Sequence, residues 1–135
     1  MKEITKGNEM SLNSNHTDDD ILRDVRAAIE LISDPERWTR NILARDRAGH
    51  RCPASHPSAV RWCIVGALIK TGDVDRVPSA VTALNTILTK SGVLDVIAAN
   101  DDSKNHTELI KLLWKAYKTL EKESKYKPKE IGEKS

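Results

Sequence analysis

The chain contains no phenylalanine and is poor in aromatic residues of any kind, at 4%. Its interior must therefore be built from Leu, Ile, Val and Ala around three tryptophans, a composition that favours helical packing. Long apolar runs are also missing. The longest, Trp62 to Ile69, spans eight residues, whereas a membrane-crossing helix takes about 20, so the sequence predicts no membrane span. Residues 1–16 lack the apolar stretch of about 7–15 residues that marks a secretory signal, and a cytoplasmic protein is expected. Cysteine is scarce as well: two in a reducing compartment are expected to be free thiols.

What is present is an ordinary soluble balance, 39% hydrophobic and 31% charged, over 135 residues, the size of one domain with a real core. The net charge of +2 is too small to argue for nucleic acid by itself. Its distribution is more informative, because six of the nine arginines (Arg37, Arg40, Arg45, Arg47, Arg51 and Arg61) fall between residues 36 and 61, a segment with no lysine and only two acids, Glu36 and Asp46. The C-terminal lysines alternate with glutamates and read as a solvated helix end.

The pattern predicts a mainly α fold, a compact bundle of about five helices, and allows a small β-hairpin near residues 42–53. Residues 1–16 and 126–135 are polar and aperiodic and are expected to be disordered, leaving 17–125 as the domain. A first helix is signalled by Thr17 or Asp18 as cap and by Ile21, Leu22, Val25, Ala28, Ile29 and Ile32 at helical spacing. Pro35 opens a short helix or turn. Asp46, Arg47, Ala48 and Gly49 have the chemistry of a type I turn closed by a left-handed glycine. Ser58 is expected to cap a helix over 59–71 that stops at Gly72. Another runs from Pro78 to Gly92; "VLDVIAA" suits a short buried helix, with a strand as the alternative; a last helix begins near Asn105 or Thr107.

Cys63 is the residue that most invites a chemical reading. A catalytic thiol needs a lowered pKa, from the first turn of a helix or from a histidine. With Ser58 as cap, Cys63 would be the fifth helical residue, beyond the reach of the helix terminus, and it would share a face with Ala59, Gly66 and Ala67. Packing is therefore favoured over catalysis. The enzymatic alternative, a hydrolase or transferase, would combine Cys63 with His106 and Asn100 or Asp101. His50, Cys52, His56 and Cys63 supply four potential zinc ligands, but their spacing matches no strong zinc pattern, and no metal or cofactor is expected.

The order Trp38, "A-R-D-x-x-G" at Ala44 to Gly49, "W-C-x-x-G-A" at Trp62 to Ala67, then Asn100, Asp101 and His106 resembles a family of small uncharacterised proteins of actinobacteria and their phages. The resemblance covers residues 21–120 and departs at Ala99, where the family usually has tryptophan. It implies a common fold and a bacterial or phage setting, and it brings no established activity.

Three functional readings follow. The first is a non-enzymatic binding or regulatory module for an anionic ligand, either a nucleotide or an acidic protein surface. Its site would draw on Trp38, Arg45, Arg61 and Trp62 with Asn100, Asp101 and His106, since guanidinium groups grip phosphate or carboxylate and aromatic faces stack on bases. Extended nucleic acid is a weaker candidate, because charge is nearly balanced and no DNA-binding signature is present. The second reading is the cysteine enzyme. The third is a structural protein that works by oligomerising.

Overall fold

Val25, Ala28, Ile29 and Ile32 recur at helical spacing and are fully buried along one face of the first helix. In the computed structural model, which describes residues 10–132, that helix is α1 (Met10–Ile32). Next come β1 (Ala44–Asp46) and β2 (Ala59–Trp62), then α2 (Ile64–Thr71), α3 (Val77–Lys90), α4 (Val96–Asp102) and α5 (His106–Gly132). The fold is mainly α, five helices with one two-stranded antiparallel sheet. α1 packs chiefly on α2 and α5, α3 closes the bundle against α5, and α4 bridges α2 and α3. Leu68, Leu84, Leu88, Leu109 and Leu113 fill the space between them. No helix among the described residues is long and apolar enough to cross a membrane.

The first helix starts earlier than expected. α1 starts at Met10, so Thr17 and Asp18 lie inside the helix rather than at its cap. Of the segments expected to be disordered, residues 1–9 and 133–135 lie outside the described residues, and the backbone of 10–16 and 126–132 belongs to α1 and α5. Of "VLDVIAA", Val96–Ala99 are helical and Asp95 is the cap: the Asp95 carboxylate accepts from the Ala98 N–H at 2.8 Å and Asn85 Oδ1 from the Val96 N–H at 2.7 Å, which satisfies two of the helix's first free amides.

The larger correction lies between residues 42 and 71. The expected helix over 59–71 divides into β2 and α2. Ala59 and Trp62 are buried while Arg61 is exposed, and this segment pairs with β1 in the register Ala44↔Trp62, Arg45↔Arg61 and Asp46↔Ala59, with a bulge after Arg45. The cap of α2 is Cys63, not Ser58; Ser58 instead closes a turn with His56 Nδ1. The Asp46–Gly49 turn forms as expected, with Gly49 at φ 89° and its N–H donating to the Asp46 carbonyl at 2.9 Å. The returning chain makes only a single bridge, Arg45↔Arg51. β1 takes its strand partner from β2, thirteen or more residues later.

One ion pair invisible to the sequence pattern ties the connections to α1. The Arg76 guanidinium grips the buried Asp24 carboxylate with two bonds, 2.9 and 3.1 Å, the fork geometry that suits arginine.

Candidate functional site

The small sheet sorts its residues by a period of two. Ala44 and Trp62 face the core, with the Trp62 indole N–H donating to the Ala54 carbonyl at 3.0 Å. Their neighbours Arg45 and Arg61 are directly opposed and so share the outer face, and the bridge to Arg51 adds a third arginine to the same row. Among the described residues, none of the three makes an ion pair with a carboxylate. Arg45 is half-buried and spends its donors on neutral oxygens: Thr39 Oγ1 at 2.7 Å, the Gly49 carbonyl at 3.0 Å and the Arg40 carbonyl at 3.4 Å. Arg51 and Arg61 are exposed.

Beside this row the chain turns through Asn41 at φ 72°, a left-handed conformation that asparagine adopts more readily than other non-glycine residues. Here the Asn41 N–H donates to Asp101 Oδ1 at 2.8 Å. Asp101 also receives a bond from Asn100 Nδ2 at 2.9 Å. Asn100, 1% exposed, joins three distant segments. Its Oδ1 accepts from Trp38 Nε1 and from the Ile64 N–H, both at 3.0 Å, and its Nδ2 donates to the Thr39 carbonyl at 3.1 Å. Every hydrogen-bonding atom of its amide group is thereby engaged.

Around this junction lies a cleft of about 200 Å³, lined by Asn41, Ile42 and Leu43 on one side, Cys63, Ile64 and Val65 at the start of α2, and Ile97, Asn100 and Asp101 from α4. Three of the four residues of the sequence-level catalytic set, Cys63, Asn100 and Asp101, thus meet. The fourth does not line this cleft. His106 packs its ring against Trp38, 5.3 Å between centroids, and its Nε2 lies 2.7 Å from the Ile32 carbonyl, an acceptor that requires the proton on Nε2. Trp38 carries Arg40 on its ring at 4.9 Å.

Cys63 stands at the N-cap of α2, a position expected to activate it. Its Sγ accepts from the Gly66 N–H at 3.3 Å. Burial nevertheless pushes the thiol up, the charge of Asp101 adding to this against the backbone N–H groups of Gly66 and Val65. Protonated thiol is thus the dominant form at neutral pH, and its nucleophilicity grows only as pH rises above the ordinary cysteine range. Alkylation of the native protein with iodoacetamide, followed by mass spectrometry, is expected to modify the less buried Cys52 first, with Cys63 reacting slowly and faster in alkali. Preferential modification of Cys63 at neutral pH would argue for the catalytic reading.

The remaining ligand candidates disperse: His56 is engaged with Ser58, and His50 lies 4.0 Å from Asp46. No group of three or more His, Cys, Asp or Glu side chains suited to a metal gathers among the described residues. Of the aromatic candidates, Trp62 is 6% exposed and core-facing, which corrects the expectation that its ring is partly open to a ligand. Leu43 and Ile97 are not among the sequence candidates, and Arg51 enters there only as one of the six clustered arginines. The signal for Arg51 was its place across the Asp46–Gly49 turn from Arg45.

A model of DUF6197, a family of unknown function, matches residues 16–119. The chain belongs to this family. All the DUF6197 residues that line the cleft and the whole arginine row fall within the matched span. No curated protein and no solved structure matches this DUF6197 chain.

Proposed function

We propose that the chain is a non-enzymatic binding module that engages an acidic protein surface through Arg45, Arg51 and Arg61. The observation that carries this reading is the row itself: three arginines in paired register on one face, with no carboxylate of the described chain bound to them. Like charges set directly opposite one another are unfavourable, so the arrangement costs the isolated fold stability that a polyanion would return. The nucleotide version draws less support, because the Trp62 ring is buried and Trp38 is already covered by His106 and Arg40, leaving neither ring of the candidate site open to stack on a base. The cysteine-enzyme version is weakened by the engagement of His106 with Ile32. A regulatory accessory role in the cytoplasm of an actinobacterium or one of its phages suits such a module.

Thermal-shift measurements test this. Poly-L-glutamate at low salt is expected to raise the melting temperature, by an amount that corresponds to about 2.7 kcal/mol when the ligand stands at a hundred times its Kd. The shift should shrink as NaCl screens the charges and vanish in the Arg51→Glu/Arg61→Glu double variant. ATP should do no more than tripolyphosphate. No shift with poly-L-glutamate at millimolar glutamate would defeat the reading.

A further inference from the structure

We infer that the cleft between the Asn41–Leu43 loop, the start of α2 and α4 receives one bulky aliphatic side chain of the acidic partner segment, and so supplies the specificity that charge alone lacks. This rests on the arginine-row reading and adds a second contact to it.

The mouth of the cleft keeps large apolar groups in water. Leu43 is 43% and Ile97 55% exposed, and both line the cleft. Exposed large apolar residues gathered at one depression mark an interaction site more readily than scattered ones do. The volume of about 200 Å³ lies below the roughly 300–1,000 Å³ of small-molecule sites, and suits a single side chain. The walls are also fixed before any ligand arrives: Asp101 holds Asn41, and Asn100 holds both α2 and residue 39. A preformed cleft reduces the ordering cost of binding.

Charge complementarity identifies the occupant. Asn41, Ile42 and Leu43 form a ridge shared by the cleft and by a shallower depression whose far side is Arg51, Cys52 and Pro53. A segment laid over the ridge would place its apolar side chain in the cleft and a carboxylate against Arg51. On the opposite side, α4 presents Asp101, which repels acids. The partner segment should therefore carry its acidic residues on one side of the apolar anchor only.

Fluorescence anisotropy with short fluorescein-labelled peptides tests the inference, using glutamate blocks placed before or after a single variable position. Leucine at that position is expected to bind about tenfold more tightly than alanine, equivalent to about 1.4 kcal/mol, in one of the two orders. Ile97→Ser, a change at an exposed position, should erase the leucine preference while leaving the alanine peptide unaffected. Equal binding of leucine and alanine peptides, or an intact preference in Ile97→Ser, overturns the cleft assignment and leaves the arginine reading standing. Absence of binding by every acidic peptide and by poly-L-glutamate overturns both. Concentration-dependent self-association abolished by Ile97→Ser would give the cleft to a second copy of the chain and likewise overturn the proposal.

Discussion

Replacing Gly66 with alanine is expected to destabilise the protein by about 3 kcal/mol, although alanine is the better helix former by about 1 kcal/mol. The reason is a close approach between backbones. A Cβ at position 66 would lie 1.9 Å from the Leu43 carbonyl oxygen and 2.8 Å from its carbon, distances at which something must move. The same oxygen accepts from the Cys63 N–H at 3.2 Å, so it cannot retreat without loosening the start of α2. Urea denaturation should show a lower midpoint with an unchanged slope. A Gly66→Ala protein as stable as the parent would mean that α2 and the Leu43 segment do not meet in this way. Gly72→Ala provides a contrast: its Cβ would meet the Asp24 side chain at 2.7 Å, a neighbour that can rotate, although doing so strains the grip of Arg76 on Asp24.

The second large effect is expected at Asn100. Asn100→Leu keeps the approximate volume but removes the acceptor used by Trp38 Nε1 and the Ile64 N–H and the donor used by the Thr39 carbonyl. Each buried group left without a partner costs about 1–3 kcal/mol, which makes a total of about 3–5 kcal/mol reasonable for three of them. Asn100→Asp tests the same junction differently. It retains the acceptors, yet it loses both donated bonds and sets a second carboxylate beside Asp101, so it should also destabilise, and more at neutral than at acidic pH, where protonation removes the repulsion. Chemical denaturation followed by tryptophan fluorescence checks both variants, since Trp38 reports on the junction directly. Wild-type stability in Asn100→Leu would refute the assigned role.

The helices were legible because burial follows the period of 3.6 in "ILRDVRAAIELI" and "ELIKLLWKAY", and because Pro35, Gly72 and Gly92 punctuate the chain. The division of 59–71 was not. "AVRWCIVGAL" is apolar enough to continue as helix, and its strand portion depends on pairing with residues 44–46, a contact that no local pattern encodes. That misreading had a chemical consequence: it put Cys63 in mid-helix instead of at the cap. The sequence puts Gly66 on a face of small residues suited to packing, and the neighbour that comes close to it is the Leu43 backbone. Asn100 and Asp101 stand out in the sequence as candidate catalytic or ligand residues. Their role as a bridge to Trp38, Thr39, Asn41 and Ile64 required a third dimension. The arginines were visible as a cluster, but the register decided which of them stand together.

The Asn100 junction also bears on when the site comes into being. Its bonds to Trp38 and Thr39 span 62 and 61 positions of sequence, and its bond to Ile64 spans 36, whereas the helices form from contacts a few residues apart. On the ribosome, or after a cut before α4, the cleft lacks its floor and far wall whatever else of the chain has folded. Recognition through that cleft would thus be withheld from nascent and truncated chains, and a partner selecting for it would select for the finished fold.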